Sequence, residues 1–189
     1  MAKYHVGTAG WSYEDWDDVV YPVRKGRGFH ALPYLARYID LVEINSTFYR
    51  PASPAMARSW LKKVEDRPDF LFAVKLHQAF SHERKGFTQK EVDEFKAAVD
   101  VFRLGGRLAA LLVQFPWSYA NTPGNAEYLG RLLRLFAGYP LAVEVRHGSW
   151  DEPGFYEALR ENRAAFCNID QPLFKNSIKP SAVATNPEF

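Results

Sequence analysis

Leu41-Val42-Glu43-Ile44-Asn45, followed by Ser46-Thr47-Phe48-Tyr49-Arg50, reads as a strand with polar groups at one end of one face. Side chains alternate faces along a strand. Val42 and Ile44 therefore share one side, and Leu41, Glu43 and Asn45 share the other. The first side needs an apolar cover. The second is apolar at its start and polar at its C-terminal end. The same pattern recurs downstream. Leu71, Ala73 and Lys75 share a face, as do Leu108, Ala110, Leu112 and Gln114, and Ala142, Glu144 and Arg146. The opposite faces carry Phe70, Phe72, Val74, Leu111, Val113, Val143 and Val145, which suits a layer packed under helices.

Six strands are expected: Tyr4 to Gly10, Leu41 to Asn45, Phe70 to Lys75, Leu108 to Phe115, Leu141 to Arg146 and Ala164 to Ile169. Helical stripes separate them. Leu32, Leu35, Ala36 and Ile39 form one stripe, and Met56, Trp60 and Val64 the next. Val92, Phe95, Val99 and Phe102 follow, then Leu129, Leu132, Leu133 and Phe136, then Phe155 and Leu159. Ser53-Pro54 reads as a helix cap with proline in the first turn, and Gly105-Gly106 as a helix end.

Strand–helix alternation predicts an α/β fold with a parallel sheet and right-handed crossovers. Gly7-Thr8-Ala9-Gly10-Trp11 lacks the third glycine and the helix start of a dinucleotide fingerprint. No phosphate-cradling P-loop occurs either. The expectation is a TIM-type (β/α) barrel, in which each polar-ended row points inward. Such a barrel needs eight units and about 250 residues. This chain has 189 residues and six strand signals, so it reads as an incomplete barrel over residues 1–170. Residues 171–189 hold Pro172, Pro180 and Pro187 without a helical stripe and read as an irregular tail.

Composition bounds the function. A hydrophobic content of 47% can bury a core, and a net charge of +2 gives no global attraction to nucleic acid or acidic membrane. Cys167 is the only cysteine, which excludes an intrachain disulfide and a thiolate metal cage. The N-terminus has no apolar signal region, and no apolar run approaches the ~20 residues of a membrane span. A cytoplasmic protein with no membrane partner is expected.

Polar groups collected at the strand ends must pair with each other, with water or with a ligand. Glu43 and Glu144 are candidate acid/base groups, with Lys75 and Arg146 stabilising an anion. The bland alternative is a closed salt-bridge network among the same four. Trp11, Asn45, Tyr49, His82, Gln114, His147, Trp150 and Asp170 stand at or just beyond strand ends and are candidate substrate-binding residues. Aromatic side chains there suit sugars or nucleobases. Arg24, Lys25 and Arg27 in the first loop, and His82, Arg84 and Lys85 in the third, can hold phosphate or remain solvated. No cofactor is expected. His77, His82 and His147 with nearby carboxylates can ligate a divalent metal, but no compact ligand motif is present.

These residues carry a family resemblance. Gly7-Thr8-Ala9-Gly10-Trp11-Ser12-Tyr13 with Trp16 and Tyr21-Pro22, Glu43-Ile44-Asn45-Ser46-Thr47-Phe48-Tyr49-Arg50, Phe72-Ala73-Val74-Lys75, Leu112-Val113-Gln114-Phe115-Pro116 and Glu144-Val145-Arg146-His147-Gly148-Ser149-Trp150 together resemble the YecE-like family, domain of unknown function 72. The resemblance implies a TIM-type barrel with its site at the strand ends, and implies no particular reaction. Ser81-His82 stands where members usually carry a Thr-His pair. Members continue past the Pro172 region to two further strands.

Three functions remain open. One is an enzyme acting by acid/base chemistry on a phosphorylated sugar or nucleic-acid-like substrate. A second is a module that binds nucleic acid or sugar without catalysis. The third is a truncated, inactive chain. An unfinished barrel exposes the first and sixth strands as edges, which predicts self-association. Sedimentation velocity checks this: oligomers are expected, and a monodisperse, cooperatively melting monomer refutes it.

Overall fold

The computed structural model describes residues 3–84 and 86–187. Lys85, one of the basic loop residues, lies outside the described residues, as do Met1, Ala2, Glu188 and Phe189. The fold is α/β. Six strands, β1 (Gly7–Ala9), β2 (Leu41–Ile44), β3 (Leu71–Lys75), β4 (Leu108–Gln114), β5 (Leu141–Glu144) and β6 (Ala165–Phe166), form a parallel sheet in that same order. Among the described residues, six α-helices accompany them: α1 (Ala31–Leu35), α2 (Ser46–Tyr49), α3 (Pro54–Lys63), α4 (Gln89–Leu104), α5 (Pro123–Leu135) and α6 (Pro153–Glu161).

Two compact units divide the chain: Met1–Lys75 with Thr88–Ala109, and Leu76–Phe87 with Ala110–Phe189. In the first, β1 pairs with β2 and β2 with β3. Gly7 stands opposite Leu41, where a Cβ would lie 2.1 Å from the Leu41 carbonyl oxygen. Only glycine lets the two backbones meet there. The helix-facing residues Val42, Ile44, Phe70, Phe72 and Val74 are sealed. Phe102 of α4 packs against Phe72 at 4.9 Å and lies parallel to Trp60 of α3 at 6.4 Å. Ser53 caps α3 as expected, and Thr88 with Glu91 forms a capping box on α4. The expected α3 stripe is shifted. Ala57 and Val64 are buried while Met56 faces solvent.

In the second unit, β4 pairs with β5 and β5 with β6. Leu111, Val113, Val143 and Val145 are sealed. Phe115, Tyr119 and Trp150 form a continuous stack, with centroids 3.9 and 5.4 Å apart. β5 ends at Glu144 and β6 spans two residues, shorter than the apolar runs suggest. The reason lies in the tail. Ile178 donates its backbone N–H to the Arg146 carbonyl (2.9 Å), and Gly148 donates to Asn176 (2.7 Å). These bonds take the backbone past β5 out of the ladder.

The tail is irregular, as its prolines imply, but it is packed. Ile178 and Thr185 are buried. Thr185 Oγ1 accepts the Phe166 N–H at 2.8 Å and donates to the Ala164 carbonyl at 2.7 Å. Asn168 Nδ2 reaches the Val183 carbonyl. Backbone groups on the outer edge of β6 are thus taken by the chain's own tail, where the sequence alone suggests a bare edge. Replacing Thr185 by Val keeps the shape and strands the buried Phe166 N–H. Urea unfolding is expected to show a loss of about 1–3 kcal/mol. An unchanged midpoint would mean that the strap contributes nothing.

Candidate functional site

In the first unit the strand faces opposite the helices behave differently from the sealed layer. Leu41, Glu43, Leu71, Ala73 and Lys75 are all only half-buried. Glu43 is in register with Ala73, so Lys75, two residues further along β3, projects from the same face. The Lys75 ammonium lies 5.0 Å from the centroid of the Phe48 ring, within cation–π range. Thr47 fixes that ring's helix: its hydroxyl is 2.7 Å from both the Ile44 and the Lys75 carbonyls. α2 is thereby pinned across the ends of β2 and β3. Asn45 precedes it, half-buried, with no capping bond from its side chain. Tyr49 is largely exposed and packs edge-on to Phe48. Trp11 packs edge-on to Trp60, and its carbonyl receives the Tyr21 hydroxyl.

The second unit holds the more explicit arrangement. Glu144, the last residue of β5, is 6% exposed and in register with Gln114, the last residue of β4. Arg146 Nε donates to Glu144 Oε1 at 2.9 Å. Burial of a carboxylate is tolerable when such a partner is present. Arg146 itself is exposed, and its terminal NH2 groups bond to no other protein group among the described residues.

His147 follows directly. It starts the short turn Gly148–Trp150, and its Nδ1 accepts the Ser149 backbone N–H (3.2 Å) while lying 2.7 Å from Ser149 Oγ. An N–H can only donate, so Nδ1 is the acceptor and the neutral ring carries its proton on Nε2. The Asn121 backbone N–H in turn donates to Ser149 Oγ at 2.7 Å. Trp117 meets the His147 ring at 5.5 Å. Ser149 escapes a reading based on strand ends. Its signal is the two-residue spacing from His147, which brings a hydroxyl back to the ring.

Other expected positions are placed differently. Trp150 is 1% exposed and its indole N–H donates to the Tyr119 carbonyl at 2.6 Å. It is a core side chain and offers no face to a substrate. His82 lies in the wide turn Ala79–Glu83 with Nδ1 2.9 Å from the buried Ser81 hydroxyl. Asp170 is exposed. Among the basic loop residues, Lys25 pairs with Asp17, and Arg84 lies over Tyr119 at 4.9 Å and donates to Asn125. These two cations turn toward protein partners. His77 Nδ1 accepts the Ala79 N–H. Among the described residues no group of three or more His, Cys, Asp or Glu side chains is placed to hold a metal ion. No helix among them is long and apolar enough to cross a membrane.

The family described as "Protein of unknown function DUF72" matches residues 5–189. The chain belongs to the DUF72 family. The UPF0759 protein YunF of Bacillus subtilis (strain 168) is 28% identical over 158 residues, which cover 81% of this chain and 54% of that protein. The chain thus spans about half the length of the curated relative it matches. A DUF72 crystal structure from Thermotoga maritima MSB8 superposes with a TM-score of 0.78 at 30% identity, over 96% of this chain and 70% of that one. One from Enterococcus faecalis V583 gives 0.79 at 23% identity, over 97% and 69%. Membership of DUF72 accounts for the fold and leaves the reaction open.

The aromatic loop of this DUF72 chain has a measurable alkaline signature. Tyr21 is buried, and its pKa is pushed up from 10.0 to about 12 by burial and then by the nearby Asp17 carboxylate. The folded state therefore favours the neutral phenol. The stability that this supplies is complete below pH 10.0 and is lost as pH rises toward about 12. Thermal melts across that window should show the decline, and Tyr21→Phe should make it shallower. Identical slopes for the two proteins would exclude Tyr21 as a contributor.

Proposed function

We propose that this DUF72 chain belongs to a cytoplasmic enzyme that acts by acid/base chemistry on a phosphorylated sugar or a nucleic-acid-like substrate. The observation that carries the reading is the end of β5. A buried Glu144 carboxylate accepts from Arg146 Nε, while the Arg146 side chain stays 44% exposed and its terminal NH2 groups bond to no other protein group among the described residues. A guanidinium fork matches the oxygens of a phosphate or carboxylate. Glu144 beside it is the proton-transfer group. His147, oriented by its Ser149 contacts through Nδ1, offers Nε2–H as a hydrogen-bond donor. Gln114, level with Glu144 on the next strand, adds an amide.

The strand order supports a TIM-type barrel as the setting. β1 to β6 run in sequence without reversal, whereas doubly wound sheets reverse order at their ligand crevice. In barrels the chemistry lies at the C-terminal strand ends, and Glu144 and Gln114 both end their strands.

The reading is tested by pairing a screen of phosphorylated sugars and oligonucleotides with two substitutions. Glu144→Gln keeps an oxygen for Arg146 and should cut turnover by about 10²–10⁴-fold. Arg146→Gln should weaken binding of the phosphorylated compound about 10–100-fold. Turnover unaffected by Glu144→Gln would sink the assignment. Binding without product in the unaltered protein would turn it into a binding module.

A further inference from the structure

The loop between β1 and α1 lines an open cavity that lies entirely within the first unit. Its volume is ≈ 510 Å³, within the range of small-molecule sites. Trp11, Tyr13, Tyr21 and Phe29 supply its aromatic walls. These rings are fixed. The Tyr13 hydroxyl donates to the Ala9 carbonyl, and the Tyr21 hydroxyl to the Trp11 carbonyl. Gly10, at φ +86°, makes room for this, because a Cβ there would lie 2.4 Å from the Tyr13 hydroxyl oxygen. A single methyl group would push Tyr13 out of place.

The polar lining is acidic on balance. Glu14 and Asp17 bring two carboxylates, against one ammonium from Lys25. Lys25 is already engaged: it pairs with Asp17 and lies 5.8 and 5.6 Å from the Tyr21 and Phe29 ring centroids. His30 also lines the space. Its Nδ1 accepts the Leu32 N–H, so the neutral ring holds its proton on Nε2. Burial and then Lys63 depress its pKa, which keeps it neutral. The Glu14 carboxylate bonds to no protein group among the described residues.

This chemistry selects among ligands. A phosphate would meet a net negative lining and a lysine already neutralised by Asp17. A nucleobase is best held between parallel faces, but the neighbouring wall rings Tyr21 and Phe29 meet edge-on, 68° apart. A puckered ring with apolar C–H faces and peripheral hydroxyls fits tilted aromatic walls. Its hydroxyls donate to the carboxylates and accept from the His30 Nε2–H. We propose that the cavity bounded by Trp11, Tyr13, Tyr21 and Phe29 is a binding site for an uncharged pyranose, with Glu14 and Asp17 accepting its hydroxyls. The site is independent of Glu144 and Arg146.

The test is saturation-transfer NMR on the whole chain with methyl glucoside, methyl galactoside and methyl mannoside, each against glucose 6-phosphate and adenosine. Amide shift mapping on the unaltered ¹⁵N-labelled protein locates any binding. At least one methyl glycoside should bind, shift amides within residues 11–31 and displace glucose 6-phosphate and adenosine from those residues. Glu14→Gln combined with Asp17→Asn should weaken it about tenfold or more, while Glu144→Gln should leave it unchanged. The proposal is overturned if no methyl glycoside binds, if its shifts fall elsewhere, or if glucose 6-phosphate or adenosine shifts the amides within residues 11–31 at lower concentration than the glycosides do. The mapping decides even if the double variant does not fold.

Discussion

Everything at the candidate site depends on one packing constraint: the helix-facing side of each strand is sealed from water. Val42, Ile44, Phe72 and Val74 in one unit, and Leu111, Val113, Val143 and Val145 in the other, leave at most 1% of their surface exposed. Each fully buried side chain of this size is worth about 1.5–3 kcal/mol. A one-residue slip in any strand would turn these groups to the other face. The register that keeps them buried also fixes Glu43, Lys75, Gln114 and Glu144 on the opposite face. The polar row is a by-product of the apolar one, and its position needs no interaction of its own.

That dependence explains what could be read from the sequence. The two-residue alternation is local, so the faces of β2, β3, β4 and β5 were legible from residue types alone. So were the α3 cap at Ser53 and the end of α4 at Gly105. Strand ends were less legible because they are decided by distant partners. Arg146 leaves β5 because the backbone of Ile178 bonds to its carbonyl, 32 residues later. Trp150 and Trp117 look alike as aromatic residues after strands. Only the stack on Tyr119 makes the first a core residue, while the second stays 45% exposed beside His147.

The acid and base groups illustrate the same division. The sequence offered Glu43 and Glu144 as carboxylates and Lys75 and Arg146 as cations at the strand ends, without deciding which cation meets which carboxylate. The structure gives Arg146 to Glu144 through Nε and sets the Lys75 ammonium over the Phe48 ring. The two-residue spacing, which puts Arg146 just past the end of β5, accounts for the first contact. The second requires α2 to fold back over the strand ends, which Thr47 arranges through two carbonyls that lie far apart in sequence.

The link from Asn121 through Ser149 to His147 carries a consequence for how this surface can change over time. The His147 ring takes its orientation from a hydroxyl that is itself held by a backbone amide in the preceding strand's loop. Substitutions at residues 118–122 that move that amide will reorient the imidazole without touching it. Effects of changes at 121 and 147 should then be non-additive. The loop after β4 and the turn after β5 are therefore free to drift only together.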